Sequence, residues 1–393
     1  MKTYKINNFL IYVFFLTLLI GGCANQPDSA MAPALDGDGF ISKDASYSKE
    51  VFYGTTRVPK CNDRTFLTPD EASPTSDLAC ASDLTRLNSG NGRTNNKIKY
   101  GKVIVQIPFS KEIGGIEGMS ITNIEHDIKF SDFISELTSE DLLVFIHGFN
   151  TSFTNAAIRT AQLAHDTNFK GEAVFFSWPS LENPATYGTD KKRAKENFKH
   201  LAQFLIKISE NTNKKIHVIA HSMGTYLLVN SLAIISDKRN EDNELLRSRI
   251  LVNNGKIFNQ IILAAPDISQ DDYHLTFNEY NLSNISDKIT LYSSINDHVL
   301  SKASRLTNYF IEGTAQARLG DSSDGFFVVN GMDTIDTRQE ILPQFFGHSF
   351  YANYRGLVTD IYLLLKYGTE PDERMLQRVI DGRNKKSLWF IRD

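Results

Sequence analysis

Short apolar runs alternate with stretches of helical periodicity along most of the chain, beginning near residue 100. The runs are rich in β-branched and aromatic residues, which is typical of buried strands. Strands are predicted at 100–109, 142–147, 173–178, 215–220, 260–265, 288–294 and 326–329. Helices are predicted at 155–165, 192–209, 224–235 and 356–367. Repeated βαβ units of this kind predict a single α/β domain with a mainly parallel central sheet flanked by helices.

The first 22 residues have the pattern of an export signal. Lys2 and Lys5 precede the apolar run FLIYVFFLTLLI, and Gly21 and Gly22 end it. A positive segment, an apolar segment and a small-residue processing site are typical of a signal peptide. The apolar run has about a dozen residues, whereas a membrane-spanning helix needs about 20. We therefore predict a signal peptide over residues 1–22 rather than a transmembrane anchor.

Cys23 directly follows this signal. The stretch 20–23, IGGC, resembles the bacterial lipobox, in which cleavage occurs before a cysteine that has been diacylated. The resemblance implies that Cys23 becomes a lipidated N-terminus, and a buried or free cysteine is the alternative. Ala24 rather than aspartate at the next position implies sorting to the outer membrane. Acyl chains contribute about 0.8 kcal/mol per buried methylene, so they could hold the protein on the membrane without a spanning helix. The expected location is the bacterial cell envelope, at the outer membrane and facing the periplasm.

The segment 23–48 has few large apolar residues and many Pro, Gly, Asp and Ser residues. This composition is typical of a flexible tether, so the folded domain is predicted at 49–393. Within the tether, DGDGFIS resembles the middle of a calcium-binding loop. Ala34 and Ala45, however, occupy the positions that should supply the first and last carboxylate ligands. No metal site is therefore predicted.

The other two cysteines are Cys61 and Cys80. If the protein is exported, they lie in an oxidising compartment where a disulfide can persist. We predict that they pair, which would stabilise the domain by about 3 kcal/mol because the bond closes a loop of about 20 residues. Two free cysteines are the alternative.

Composition narrows the class of partner. Of 393 residues, 41% are hydrophobic and 22% are charged, which is ordinary for a globular protein. The formal net charge of -4 gives no broad basic field that would attract nucleic acid. We therefore expect no nucleic-acid partner.

The stretch 217–228, HVIAHSMGTYLL, changes abruptly from a strand pattern to a helix pattern. A tight turn must lie between the two, with Ser222 in its middle. In a nucleophile elbow the serine occupies such a turn, and small residues two positions before and after it relieve steric crowding. Ala220 and Gly224 hold those positions, with alanine replacing the first glycine of the G-x-S-x-G pattern. Ser222 is therefore the predicted nucleophile.

A serine nucleophile needs a base to accept its proton and an acid to orient that base. In this architecture the chain order is nucleophile, acid, base. Among nine histidines, only His348 lies after the late predicted strands, and a structural loop histidine is the alternative. Asp297, which follows the predicted strand 288–294, is the favoured acid. The acids that remain open are Asp267, one strand earlier, and Asp333 and Asp336.

The oxyanion that develops during acyl transfer needs two backbone donors. Met223, directly after the serine, offers one amide. Phe149 in the segment FIHGFN offers the second, because Gly148 lets the backbone turn after a strand. His147 is interpreted as a residue that braces this loop rather than as a second base.

Seven ordered blocks between residues 50 and 366 resemble a bacterial family of uncharacterised α/β-hydrolases. They are VFYGTTR (51–57), VFIHGFN (144–150), FFSWPS (175–180), HVIAHSMG (217–224), ILAAPD (262–267), YSSINDHVL (292–300) and GHSFY (347–351). The resemblance implies an α/β-hydrolase fold and a serine hydrolase with Ser222, Asp297 and His348 as its triad. It implies no particular substrate.

These patterns predict a lipid-anchored serine hydrolase that cleaves carboxylic esters or related acyl bonds of small-molecule or lipid substrates, without a cofactor or metal. Only about 20 residues separate the strands 260–265 and 288–294, so no large cap domain is expected there. Trp178 and Tyr187 could form an acyl-side wall or belong to the core. The alternative is a non-catalytic envelope lipoprotein that uses this fold as a binding or assembly scaffold. The presence of serine, acid and base in order favours the enzyme.

Overall fold

Eleven strands of the described chain form one sheet. The computed structural model describes residues 45–59, 66–67, 97–237, 256–295, 316–337, 355–382 and 385–391. The strands are β1 (Ser46–Thr55), β2 (Lys99–Pro108), β3 (Ser120–Ile128), β4 (Asp141–Ile146), β5 (Glu172–Ser177), β6 (Lys215–His221), β7 (Phe258–Ala264), β8 (Ser286–Ser293), β9 (Asp333–Asp336), β10 (Leu376–Ile380) and β11 (Ser387–Ile391). A separate short ladder pairs Val58–Pro59 with Phe66–Leu67.

The strand order across the sheet is β10-β11-β9-β8-β7-β6-β4-β5-β1-β2-β3. All neighbours from β11 to β1 pair in parallel, and the antiparallel pairs β10–β11, β1–β2 and β2–β3 lie at its two ends. β6 occupies the middle, with Val218 beside Val144 of β4 and Ile219 beside Ile262 of β7. The carboxyl ends of these parallel strands therefore meet at one edge of the sheet.

Seven α-helices lie among the described residues. They are α1 (Phe130–Glu136), α2 (Phe153–Asp166), α3 (Tyr187–Glu196), α4 (Phe198–Asn211), α5 (Met223–Ser236), α6 (Gln270–Glu279) and α7 (Arg355–Tyr367). Three 3-10 turns cover Pro184–Thr186, Leu282–Asn284 and Pro371–Glu373. Serine caps begin two of the helices: the Ser152 side chain accepts from the amide of Asn155, and that of Ser269 from the amide of Asp272. No helix in this described set is long and apolar enough to cross a membrane.

Helices cover both faces of the sheet, and alternate residues of β4 show this. Leu142, Val144 and Ile146 belong to the core beneath α4 and α5, whereas Leu143 and Phe145 belong to the core beneath α2 and α7. Burial of such a side chain contributes about 1.5–3 kcal/mol. Because the central strands are buried on both faces, they have continuous apolar sequences, and this made them predictable. The predicted α/β architecture with a mainly parallel sheet is confirmed.

One predicted strand is wrong. Residues 326–329 have an irregular backbone, and the strand of this region is β9 instead. The apolar side chains of 326–329 still pack, since the ring of Phe327 lies 5.8 Å from that of Tyr273. The sequence of β9, DTID, does not resemble an apolar run, although β9 pairs in parallel with β8 and β11.

The predicted helix 192–209 is two helices, α3 and α4, which meet at Asn197. The Asn197 side chain donates to the carbonyl of Arg193 (2.8 Å) and accepts from Thr56 Oγ1 (2.6 Å). Side-chain bonds of this kind compete with the helical pattern of backbone bonds. The chain therefore turns between two helices that share an apolar periodicity.

Further elements lie outside the predicted pattern. β1 begins at Ser46, so the last three residues assigned to the tether belong to the sheet. The predicted pattern also lacks β3, β10, β11, α1 and α6. Between β7 and β8, the segment 265–285 holds only α6 and the turn Leu282–Asn284, so no cap domain is inserted there, as predicted.

Candidate active site

Ser222 occupies a strained turn between β6 and α5. Its φ is +54° and its ψ is −124°. A non-glycine residue in this region costs about 1–3 kcal/mol, and the surrounding structure must hold it there. Backbone bonds do so: the Ser222 amide donates to the carbonyl of Ala264 (3.0 Å), and its carbonyl accepts from the amides of Thr225 (2.9 Å) and Asp267 (3.1 Å). The predicted strand–turn–helix context of Ser222 is therefore present.

Two glycines let the chain pack closely around this turn. A Cβ added to Gly224 would lie 2.6 Å from the carbonyl oxygen of Ile146 and closer still to that of His147. A Cβ added to Gly148 would lie 2.9 Å from Ser222 Cβ and 3.0 Å from His221 Nδ1. The loop that follows β4 therefore lies directly against the serine turn, and it leaves no room for a side chain at either position.

The amides of Phe149 and Met223 flank this contact. Met223 is the first residue of α5, and the first amides of a helix have no partner within the helix. Phe149 follows Gly148 in the loop after β4. Neither amide donates a hydrogen bond within the portion of the chain that the structure describes. Both amides are thus available donors next to the Ser222 turn.

His147 is fully buried beside this loop. Its ring stacks on Trp178 with a centroid distance of 5.1 Å and an interplanar angle of 9°. The indole N–H of Trp178 donates to the His147 carbonyl (2.8 Å), and His147 Nδ1 donates to the carbonyl of Gly148 (2.9 Å). Burial, reinforced by the charge of Arg57, lowers the pKa of His147 to about 3. The ring is therefore neutral near pH 7, which suits a bracing residue, and Trp178 lies in the core rather than on a pocket wall.

Arg57 ties the loop after β4 to the loop after β5. Its guanidinium donates to the carbonyl of Thr151 (2.7 Å), the carbonyl of Ser180 (3.0 Å) and the hydroxyl of Ser177 (2.8 Å). Arg57 is 4% exposed, so these bonds operate in a region that excludes water. A rigid guanidinium with several donors is well suited to joining two loops.

Asp190 of α3 receives hydrogen bonds from the same loops. Its carboxylate accepts from Ser180 Oγ (2.6 Å) and from the amides of Leu181 (2.9 Å) and Asn150 (3.4 Å). Burial raises the pKa of Asp190, and the bonds from Ser180 and Leu181 act in the opposite direction. Sequence reasoning did not select Arg57, Ser180 or Asp190. The available signal was polar residues that directly follow β1 and β5.

Asp267, the main rival for the triad acid, is held in a different network. Its carboxylate accepts from the hydroxyl of Tyr187 (2.7 Å) and lies 3.4 Å from Arg318 Nε. Asp267 is 3% exposed and Arg318 is 2% exposed. Tyr187 is also buried, and its ring packs edge-on against Phe149 at 5.4 Å. Asp267 also lies next to the serine turn, because its backbone amide donates to the Ser222 carbonyl (3.1 Å).

The favoured acid and base lie outside the described residues. Asp297 follows β8 in the chain, and His348 lies between β9 and α7. Cys23, Cys61 and Cys80 also lie outside the described residues. Of the remaining rivals, Asp333 begins β9 and lies 3.8 Å from Lys288 Nζ, whereas Asp336 ends β9 and accepts from the hydroxyl of Ser322. Asp336 therefore lies at the carboxyl edge of the sheet and Asp333 does not.

A family model described as "Alpha/beta hydrolase of unknown function (DUF900)" matches residues 122–362, more than half of the chain. The match includes Phe149, Ser222, Met223, Asp297 and His348. This chain belongs to that α/β-hydrolase family. No protein of curated function matches it at a significant level.

Solved esterases are also similar to this α/β-hydrolase. A cold-adapted esterase from an Arctic intertidal metagenomic library is 12% identical, covers 69% of this chain and 90% of its own, and has a TM-score of 0.33. An esterase from Rhizomucor miehei is 12% identical and has a TM-score of 0.32. The match covers 75% of this chain and 91% of the esterase. A hyperthermophilic esterase from Pyrobaculum calidifontis is 12% identical and has a TM-score of 0.31. The match covers 75% of this chain and 92% of the esterase.

No group of three or more His, Cys, Asp or Glu side chains suited to a metal ion occurs within the ranges that the structure describes. Ser222 and the loop that carries Phe149 lie side by side at the carboxyl edge of the sheet. A serine hydroxyl and backbone amide donors are the groups that acyl transfer requires.

Proposed function

We propose that this chain is a serine hydrolase that cleaves carboxylic esters or related acyl bonds through Ser222. The observation that carries the proposal is the strained backbone of Ser222, with φ at +54°, between a central parallel strand and a helix. Such strain persists only where the surrounding structure holds it, and it is concentrated at functional sites. In this fold the turn exposes the serine oxygen above the carboxyl end of the strand.

The proposed reaction has two stages. Ser222 Oγ attacks the acyl carbon while His348 accepts its proton and Asp297 orients the imidazole. The amides of Met223 and Phe149 donate to the oxyanion, and the tetrahedral intermediate collapses when the acyl–oxygen bond breaks and His348 returns its proton to the leaving alcohol. Water then attacks the acyl-enzyme by the same route, which releases the acid and restores the serine.

The topology supports the assignment of Asp297 and His348. Ligands of open α/β sheets bind outside the carboxyl ends of the strands. β6, β8 and β9 run parallel, and Ser222, Asp297 and His348 follow these three strands in the chain. The three segments therefore leave the sheet from the same edge.

A fluorophosphonate probe tests the proposed nucleophile. We expect covalent labelling of the purified protein at Ser222 and hydrolysis of p-nitrophenyl esters, with both lost in Ser222→Ala. His348→Ala should also abolish hydrolysis while it leaves the thermal unfolding midpoint nearly unchanged. A well-folded protein that neither reacts with the probe nor turns over esters would favour the alternative, a non-catalytic envelope scaffold.

Two isosteric variants test the proposed acid. Asp297→Asn should lower kcat by about 10⁴-fold, because the imidazole then loses its orienting carboxylate. Asp267→Asn should cost far less, since its carboxylate already bonds to Tyr187 and approaches Arg318. Equal, mild losses in the two variants would remove Asp297 from the triad.

We also propose that Cys23 carries a lipid anchor that holds the enzyme at the bacterial outer membrane. The support is the sequence of the N-terminal segment, a short apolar run that ends in GGC. Cys23→Ser should move the protein from the membrane fraction to the soluble fraction of the cell envelope. Membrane retention of that variant would contradict the proposal.

A further inference from the structure

Helix α3 bonds to the two segments beside the proposed oxyanion hole, the loop after β4 and the segment that follows β7. Tyr187, its first residue, and Asp190, one turn later, are both buried. Residues three apart in a helix lie on the same face, so the two side chains project toward the same region. Tyr187 bonds to the segment that holds the serine turn, and Asp190 bonds to the loop after β4.

Asp190 holds the loop after β4. Its carboxylate accepts from the amide of Asn150 (3.4 Å) and from Ser180 Oγ (2.6 Å), and that hydroxyl in turn accepts from the amide of Thr151 (3.2 Å). Asn150 has a φ of +54°, so the loop bends sharply directly after Phe149. The position of the Phe149 amide therefore depends on the carboxylate of Asp190.

Tyr187 holds the serine turn. Its hydroxyl donates to Asp267 Oδ2 (2.7 Å), and the backbone amide of Asp267 donates to the carbonyl of Ser222 (3.1 Å). The ring of Tyr187 also packs edge-on against Phe149, with a centroid distance of 5.4 Å. Tyr187 therefore touches Phe149, which carries one proposed donor. It is also linked to Ser222 through two hydrogen bonds by way of Asp267.

We propose that α3 acts as a clamp in which Tyr187 and Asp190 are positioning residues that fix the spacing between the Phe149 and Met223 amides. The inference rests on the proposed function of Ser222. The two donors come from segments far apart in the sequence, and α3 bonds to both segments in addition to the direct contact between Gly148 and Ser222. An oxyanion needs donors at about 2.7–3.1 Å, and a 1 Å misplacement can cost about a hundredfold in rate.

Two conservative variants test the clamp in the full-length protein. Tyr187→Phe removes only the hydroxyl, and Asp190→Asn removes one of the two carboxylate oxygens as an acceptor. The matched controls are Tyr280→Phe, directly after α6, and Glu196→Gln at the exposed end of α3. Each protein is titrated with a fluorophosphonate, and kcat per labelled site and KM are then measured with a p-nitrophenyl ester. Inhibition by a trifluoromethyl ketone, which forms a tetrahedral adduct with serine, reports on the oxyanion donors directly.

For both clamp variants we expect kcat per labelled site to fall about tenfold, since the amides would shift by less than 1 Å. KM should stay within about twofold, and the inhibition constant of the ketone should rise by the same factor as kcat falls. Controls should match the wild type. Variants that lose thermal stability or labelled fraction but keep kcat and ketone affinity would show a merely structural role and overturn the clamp. A wild type without labelling at Ser222 would overturn the proposed function itself, whereas a labelled wild type with unchanged variants would overturn the clamp alone.

Discussion

Two turns meet at the candidate site, and they are held in different ways. The Ser222 turn is fixed by backbone hydrogen bonds and by the missing side chain of Gly224. The loop after β4 is fixed by polar side chains from elsewhere in the chain, chiefly Arg57 and Asp190. The first arrangement is steric and local, whereas the second is a network of buried hydrogen bonds.

This difference predicts different responses to substitution. Backbone oxygens around Gly224 cannot move without moving β4, so a small added group should be severe. A hydrogen-bond network has several members, so the loss of one member should weaken the loop in proportion to the bonds removed. Substitutions at the two turns therefore distinguish a steric arrangement from a hydrogen-bond network.

Gly224→Ala should be the most disruptive change at either turn. The new methyl group would lie 2.6 Å from the carbonyl oxygen of Ile146. We expect a loss of about 4 kcal/mol or more in the free energy of unfolding, measured by urea denaturation, because overlap with backbone cannot be relieved by a rotamer change. Gly382→Ala is the matched control, since nothing lies within 4 Å of its added Cβ. Equal stabilities for the two variants would refute the steric account of the elbow.

Arg57→Met should weaken the loop after β4 without destroying the fold. It removes three buried donors, two of which serve the carbonyls of Thr151 and Ser180. We expect a loss of about 3 kcal/mol in unfolding free energy and about a tenfold fall in kcat for an ester. Arg378→Met, in which the side chain is 53% exposed, should change both by little. A stable Arg57→Met protein with full activity would mean that the loop does not need this residue.

Gly148→Ala should separate activity from stability. Its added Cβ would lie 2.9 Å from Ser222 Cβ, 3.0 Å from His221 Nδ1 and 3.1 Å from the His221 carbonyl oxygen, so the loop after β4 must shift slightly to admit it. We expect a loss of about 1–2 kcal/mol in unfolding free energy, but about a tenfold fall in kcat because the loop is pushed away from the serine. If kcat were unchanged while stability fell, the contact between this loop and Ser222 would have no part in the chemistry.

The same contrast explains which parts of the fold the sequence predicts. The strands β4 to β8 are apolar on both faces because both faces are buried, so their patterns are strong. β9 is not apolar: the hydroxyl of Thr334 donates to the carbonyl of Phe327, and Asp336 accepts from Ser322. Tertiary hydrogen bonds make a polar strand acceptable there, and no local pattern reveals them.

The candidate site divides in the same way. The serine turn is encoded within a few residues, so Ser222 and Gly224 could be found from the sequence. The bonds of Arg57 connect positions that are 94, 120 and 123 residues apart, and such contacts leave no periodicity to detect. Asp190 lies in a helix of polar sequence, where a buried carboxylate is indistinguishable from an exposed one.

His147 lies where the two turns meet, and its titration provides the mildest test. Burial lowers the pKa of His147 to about 3 in the folded protein, below the usual value of 6.5. Between these two pH values the unfolded chain binds a proton at His147 and the folded protein does not. The contribution of His147 to the free energy of unfolding is therefore complete above pH 6.5 and is lost as the pH falls toward 3. For one titrating group, the free energy of unfolding can change by at most about 1.4 kcal/mol per pH unit.

His147→Phe isolates this contribution, because phenylalanine can still stack on Trp178 but cannot accept a proton. The free energy of unfolding of both proteins is measured by urea denaturation at pH 7, 6, 5 and 4. Other groups, such as His217, whose pKa is also lowered by burial, affect both proteins alike and cancel in the difference. We expect the difference between wild type and variant to be constant from pH 7 to about 6.5 and then to shift steadily in favour of the variant. Parallel curves down to pH 4 would mean that His147 is protonated in the folded protein, and a charged ring beside Arg57 would contradict its role as a neutral brace.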